Sequence, residues 1–261
     1  MTFAEKYGPW ALIMGASEGT GRAFAKQLAA QGLPSVLVAR RQQPLQALAD
    51  EIRTEFGVDC IVASTDLSQP NAVDKIKQAC GERHIGLLVC NAGADPNGAH
   101  FLDKTIDNWQ QLTMLNVVTP LACVHYFASE MRVKKRGGIL IVGSGACYGG
   151  GAYMATYTGV KAFQLCFTES LWAELKPHNV DVLHLVLTTT DTPAFHQLLE
   201  EKGKKPPKNL AAPEAVAATG LAKLSAGPIY NWGQRFGLRA SWRKRRLMLI
   251  SYFSEKMVFG Q

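Results

Sequence analysis

The sequence predicts an α/β fold: a doubly wound parallel sheet with helices on both faces. Three observations predict it. Short apolar runs such as WALIM at 10–14 and LLVC at 87–90 alternate with longer amphipathic stretches through most of the chain. These runs show no polar alternation, as strands buried on both faces require. A glycine-rich turn, GASEGTG, joins the first run to the first amphipathic stretch. The 261 residues suit one large domain or two small ones. With no internal repeat and no low-complexity linker, the chain reads as one domain.

Taken in order, residues 10–14 form a first strand, and helical spacing runs from Arg22 to about Gly32. VLVA at 36–39 is a second strand, and 45–56 an amphipathic helix closed by Gly57. Residues 60–63 form a third strand, 72–80 a helix and 87–90 a fourth strand. Residues 109–131 are long and mostly apolar, a helix bent near Pro120. Residues 139–142 form a fifth strand, followed by a helix that carries Tyr157 and ends at Pro177. Residues 182–187 form a sixth. EEKGKKPPK at 200–208 breaks the composition and reads as a surface loop, so 193–210 is expected to be mobile.

Composition excludes several classes. The 47% hydrophobic content is that of a globular chain with a sizeable core. Residues 231–261 hold seven Lys and Arg against Glu255 alone, which accounts for +6 of the net +7. The body is near neutral, so general nucleic-acid binding is not expected. Cys60, Cys80, Cys90, Cys123, Cys147 and Cys166 are scattered without a CxxC pair, as in a reducing cytoplasm. The first ten residues are polar, and no apolar run approaches the ~20 residues of a membrane span. No metal-ligand spacing stands out.

Chemistry is written into several turns. Gly15, Ser17, Glu18, Gly19, Thr20 and Gly21 occupy a strand–turn–helix junction, where glycines admit a pyrophosphate to the backbone and to a helix N-terminus. Arg40 and Arg41 follow the second strand, and no Asp or Glu occurs from Leu33 to Leu48. Cations there suit a ribose 2′-phosphate, hence NADP rather than NAD. Asp66 and Leu67, after the third strand, are placed to meet an adenine. Asn91, Ala92 and Gly93, after the fourth, are small enough to pass close to a cofactor. Asn116 is an unusual residue inside a helix. Ser144 ends the fifth strand, and Tyr157 and Lys161 stand four apart, one turn apart on one helix face. An ammonium beside the phenol favours the phenolate, so the Tyr157 pKa is expected to fall. YxxxK alone is a common pattern on packed helices; its company gives it weight.

GxxxGxG, NAG, the helical Asn, Ser and YxxxK occur in the order found in the short-chain dehydrogenase/reductase family, which nearly the whole chain resembles. The resemblance implies a Rossmann-type sheet, a nicotinamide cofactor and a tetrad of Asn116, Ser144, Tyr157 and Lys161. EKYGPW, GASEGTG, VARR and TTTDTP also resemble the NADP-dependent 7β-hydroxysteroid dehydrogenases. Thr192 then stands where the family binds the carboxamide, and Thr190 is expected among the cofactor-binding residues. Met14 replaces the usual Thr, and Leu187-Thr188 the usual Pro-Gly, which alters the turn around the nicotinamide.

The resemblance implies hydride transfer between NADPH and a carbonyl. Tyr157 is the proton donor, Lys161 tunes Tyr157 and holds ribose, Ser144 polarises the carbonyl, and Asn116 positions a water leading to Lys161. Residues 94–101, 146–153 and 193–199 would line the substrate pocket, with Phe101, Tyr148, Tyr153, Phe195 and Leu199 as an apolar wall. Leu198 lies in the same stretch. A small apolar carbonyl or alcohol, steroid-like, is the expected substrate. A 3-oxoacyl thioester reductase is the alternative, with Lys202, Lys204, Lys205 and Lys208 near an anionic carrier. An NADP-sensing regulator is the non-enzymatic one. A homodimer or homotetramer is expected. Residues 232–261, basic and apolar, are expected to cover the substrate entrance of the same subunit or its dimer partner, to touch an anionic membrane peripherally, or simply to pack on the protein's own core.

Overall fold

The computed structural model describes residues 1–95 and 98–232. The strands are β1 Trp10–Met14, β2 Ser35–Ala39, β3 Cys60–Ser64, β4 Ile85–Cys90, β5 Gly137–Ser144, β6 Val180–Leu187 and β7 Ile229–Asn231. They pair in the order β3-β2-β1-β4-β5-β6-β7, and every pairing is parallel. β1, β2, β4 and β5 are almost entirely buried, which explains their unbroken apolar runs. The expected doubly wound sheet is therefore present, with β7 as a strand the sequence reading did not identify.

The helices are α1 Phe3–Tyr7, α2 Gly19–Ala30, α3 Gln42–Phe56, α4 Ala72–Cys80, α5 Ile106–Thr113, α6 Thr119–Lys134, α7 Ala155–Leu175, α8 Pro193–Glu201 and α9 Pro213–Lys223. One apolar layer packs α2, α3 and α9 on the sheet through Phe24, Leu28, Leu45, Leu48, Val216 and Leu221. The other packs α4, α6 and α7 through Ile76, Cys123, Phe127, Met131 and Trp172. Helices on both faces are what a parallel sheet needs to keep both sides dry.

Three sequence expectations are corrected. The bend in the long helix is a π-helical turn, Met114–Val118, that precedes Pro120 instead of following from it alone. Ile106–Lys134 as a whole is long and apolar enough to cross a membrane, contrary to the expectation that no run was. Its buried side chains lie against β4 and β5, so its apolarity belongs to the core. The first half of 193–210 is the helix α8, started by Thr192, whose hydroxyl accepts from the Phe195 amide, and by Pro193 at its first turn. Among the described residues no two cysteines form a disulfide. Apart from Trp232, the C-terminal segment 232–261 lies outside the described residues. Trp232 is half-buried and its amide donates to the Val186 carbonyl at 2.9 Å.

The amino-terminal end of the sheet is closed by α1. Tyr7 is buried, and its hydroxyl donates to Asp181 at 2.6 Å, where Lys6 also pairs. Burial first, then Asp181, holds the Tyr7 hydroxyl far above its ordinary range. A Cβ at Gly138 would come within 2.9 Å of the Tyr7 ring. The opposite, carboxyl-terminal end of the sheet stays open and carries the functional loops.

Candidate active site

The order of the sheet reverses between β1 and β4, and the crevice at their carboxyl ends is where such folds bind ligands. Gly15 leaves β1 at φ +85°, and a Cβ there would lie 2.8 Å from the Ala92 amide. Asn91 donates from Nδ2 to the Gly15 carbonyl at 2.9 Å, while Asn91 and Ala92 amides both donate to the Met14 carbonyl. The NAG turn thus braces the glycine turn. Ser17 is half-buried and Thr20 buried within it. Glu18 precedes α2 without a side-chain cap, so the first-turn N–H groups remain available to an anion. A Cβ at Gly19 would lie 2.8 Å from Thr192 Cγ2, which brings the loop after β6 against the glycine turn. A cradle that side chains would fill, at an uncapped helix start, fits a dinucleotide pyrophosphate.

The two arginines are exposed at the end of β2, but they are not without competing carboxylates. Arg41 forms an ion pair with Glu18, and Arg40 stands close enough to Asp66 to lower its pKa. The expectation of no competing acid is corrected: the sequence window around 40 was clear, and the fold brings acids from two other loops. Asp66 titrates low although burial opposes its charge, because the Ser68 amide and hydroxyl both donate to it, at 2.9 and 2.7 Å. Leu67 is buried and its carbonyl accepts from Thr119.

On the other side of the crevice, β5 ends at Ser144, which stands close enough to Tyr157 to lower its pKa. The Ser144 hydroxyl accepts from the Ala146 amide at 3.2 Å, which fixes its direction. Tyr157 and Lys161 are on one face of α7, with Nζ 5.6 Å from the phenol ring centre. Asn116, on the π-helical turn, and Lys161 converge on Gly93: a Cβ there would meet Lys161 Nζ at 2.9 Å and run into Asn116 Oδ1. Gly93 sits at φ +151°, a conformation that side chains avoid. The tetrad is therefore assembled.

Its electrostatics differ from expectation. Burial raises the Tyr157 pKa; the Ser144 contact lowers it less, and Asp95 and Cys147 add to the rise. Burial brings Lys161 down to about 8. The expected fall at Tyr157 is corrected for the protein alone: burial of the phenol outweighs the Ser144 contact, and Lys161 Nζ donates to Gln164.

The loops around the tetrad hold one another. His100 and Tyr153 rings pack at 4.0 Å, tilted by 35°, joining the β4 loop to the β5–α7 loop, with Tyr153 at φ +64°. Lys202, after α8, donates to the Gly98 carbonyl at 2.9 Å. Tyr148 donates to Asn231 at 2.5 Å. Phe101 stacks on Trp109 at 5.7 Å, and Trp109 Nε1 donates to the Phe101 carbonyl. Phe101, Tyr148 and Tyr153 are exposed, while Phe195, Leu198 and Leu199 on α8 are half-buried. The turn after β6, which lacks Pro-Gly, is braced by Ala211: its amide donates to Thr189 and its carbonyl accepts from Asp191. Thr190 donates to the Thr188 carbonyl at 3.2 Å. Sequence reasoning did not single out Gln164 or His100. Gln164 alone carried a signal, a polar residue on an apolar helix one turn beyond Lys161.

Comparisons with known proteins agree with this geometry. The profile of the short chain dehydrogenase family matches residues 9–203. A 7beta-hydroxysteroid dehydrogenase of Mediterraneibacter gnavus is 32% identical over 226 residues, 86% of each chain. A very-long-chain 3-oxoacyl-CoA reductase of Podospora anserina is 37% identical over 191 residues, 71% of this chain and 56% of that one. Among solved structures, one described for 7beta-hydroxysteroid dehydrogenase stereoselectivity has a TM-score of 0.81 at 32% identity, covering 90% of this chain and 91% of that one. A short-chain dehydrogenase from Sphingobium yanoikuyae in complex with NADPH has a TM-score of 0.83 at 25% identity, covering 94% and 96%.

Proposed function

The chain belongs to the short-chain dehydrogenase family, and from that premise we propose that it is an NADP(H)-dependent oxidoreductase interconverting a ketone and a secondary alcohol on an apolar, steroid-like substrate. The observation that carries the substrate class is the kinship with 7beta-hydroxysteroid dehydrogenases, which extends over 86% of both chains. The aromatic loops around the tetrad support it, since a polycyclic apolar substrate needs such a wall.

Bound NADPH supplies the hydride. The glycine turn and the start of α2 would hold its pyrophosphate, Arg40 and Arg41 its 2′-phosphate, and Thr190 and Thr192 would border its nicotinamide end. Tyr157 would donate its hydroxyl proton to the carbonyl oxygen of the substrate. Ser144 donates a hydrogen bond to the same oxygen. Protonated Lys161 stabilises the phenolate left on Tyr157. In the alcohol-to-ketone direction the same groups work in reverse, so the prevailing direction follows cofactor ratio and pH.

A second reading is supported by the 37% identity to a very-long-chain 3-oxoacyl-CoA reductase. There the lysines at 202–208 would meet an anionic thioester carrier. Purified protein with NADPH, presented with ketosteroids and with a 3-oxoacyl thioester, separates the two. NADPH consumption with a ketosteroid is the expected result. Consumption with the thioester alone would replace the first reading by the second. Tight NADPH binding with no turnover would leave a sensor.

We also propose a cytoplasmic homodimer or homotetramer, to be measured by sedimentation. For the segment 232–261 we favour a role at the substrate entrance over membrane contact. Its removal should raise KM for a bulky ketone, whereas salt-sensitive binding to anionic vesicles would favour the membrane.

A further inference from the structure

We propose that Gln164 is a positioning residue that sets where Lys161 sits and how firmly it keeps its proton, by tying its amine to the main chain of the Asn116 turn. Gln164, Lys161 and Asn116 are 3%, 2% and 0% exposed, so the link is sealed from solvent. Gln164 Nε2 donates to the Asn116 carbonyl at 2.7 Å, and Lys161 Nζ donates to Gln164 Oε1 at 3.1 Å. The orientation of the amide is forced by chemistry. A main-chain carbonyl only accepts, so the NH2 end must face Asn116, and the oxygen is left for Lys161.

The carbonyl is available for a sequence reason. In an α-helix the carbonyl of Asn116 would receive the amide of residue 120, which is a proline and has none. The π-helical turn and the proline thus present a main-chain acceptor to α7, and Gln164 takes it. The family resemblance assigned this connection to a water positioned by Asn116; here a side chain of the same helix as Lys161 makes it. An amide does not pass a proton as water does, so Gln164 fixes the amine rather than conducting from it.

The other groups around this pair are few. Tyr157 lies on the same helix, Cys147 on the turn Gly145–Tyr148 acts on both Tyr157 and Lys161, and Asp95 on the β4 loop acts on Tyr157. Among the described residues no carboxylate is seen to act on Lys161. An amide oxygen that accepts from the amine favours its protonated form against the burial that opposes it.

This inference rests on the proposed reductase only for its consequence in turnover; its direct test does not. Carbon-13-labelled lysine allows Lys161 to be titrated by NMR in the full chain, its resonance identified by loss in Lys161→Met. Gln164→Leu removes both hydrogen bonds, and its Lys161 pKa should fall by about one pH unit. Gln164→Glu restores an acceptor and adds charge, and should raise it above the original. NADPH binding and circular dichroism verify folding. With a reducible ketone, the alkaline limb of kcat/KM should move in the same two directions. A Lys161 titration unchanged in both variants, or displaced equally in both, overturns the proposal. Displaced titration in opposite directions upholds it even if no ketone is turned over, and that second result counts only against the proposed activity. Displaced titration with superimposed pH profiles in an active enzyme would overturn the claim that the tie serves catalysis.

Discussion

The two halves of the crevice are built in opposite ways. On the β1–β2–β3 side the charged groups that would meet the nucleotide are exposed or half-buried and have neighbours: Arg41 has Glu18, and Asp66 has Ser68 with Arg40 nearby. On the β4–β5–α7 side the polar groups are buried and barely satisfied. Lys161 and Gln164 lean on one main-chain carbonyl, and Asn116 Oδ1 has no hydrogen-bond partner among the described residues. The surface side can be altered one charge at a time, because water replaces what is lost. The buried side holds groups whose protonation is set by the protein, which is what acid–base chemistry near neutral pH requires.

The largest test of this contrast is Tyr157→Phe. Turnover should drop by about 10²–10⁴-fold while NADPH affinity changes little, as measured by steady-state kinetics and fluorescence titration. Parallel losses in both would mean that the two halves are not separable. Next, replacing Arg40 and Arg41 with Asp should weaken NADPH by roughly 10–100-fold, from the charge-assisted hydrogen bonds lost, and leave NADH nearly unaffected. Equal effects on both cofactors would remove the 2′-phosphate assignment.

Lys161→Met sharpens the comparison through stability. The folded-state pKa of Lys161, about 8, is below its ordinary 10.5. The unfolded chain therefore binds the extra proton between those values, and stability from this group rises with pH across that window. Below pH 8 the penalty is fully present. Met should thus stabilise the protein at pH 7 by an amount on the order of 3 kcal/mol, and the gap between variant and parent should close as pH rises toward 10.5. Thermal melts at pH 7 and at alkaline pH measure it; a gap independent of pH would show that Lys161 is not held against its charge. The smallest effect is expected on the surface side. Glu18→Gln frees Arg41 from an exposed pair worth about 0.2–1 kcal/mol, so NADPH should bind up to a few-fold tighter with little change in melting temperature. Weaker binding would mean that Glu18 aims Arg41 at the phosphate.

What the sequence showed and hid follows the same division. The buried strands were legible because both faces are dry, so WALIM and LLVC are apolar without interruption. The glycine turn was legible because backbone crowding leaves no alternative: Gly15 touches Ala92 and Gly21 lies on Gly15. Tyr157 and Lys161 were legible because helical spacing aligns them. Pairings between distant segments were not. Glu18 and Arg41 belong to different loops, so the clear window around Arg40 was misleading. The Tyr157 pKa was read from one neighbour, whereas burial outweighs it. The helix α8 carried its own start signal, Thr192 followed by Pro193, but the lysines and prolines beyond it suggested a loop over the whole stretch. Asn116 was flagged as a poor helix residue, yet the cause of its setting was Pro120, four residues on, and its acceptor role appears only once Gln164 is seen opposite.

The bond between Tyr7 and Asp181 joins residues 174 positions apart. On a ribosome extending the chain at about 5–20 residues per second, the phenol of α1 would wait roughly nine to thirty-five seconds before its partner is made. The amino end of β4, whose Gly86 lies against the Tyr7 and Gly8 backbone, is assembled earlier and can shelter it meanwhile. The nascent sheet is thus closed at its floor late, by its first helix meeting its sixth strand. Substitution of Tyr7 should therefore tell in the yield of folded protein during synthesis more than in the rate of the finished enzyme.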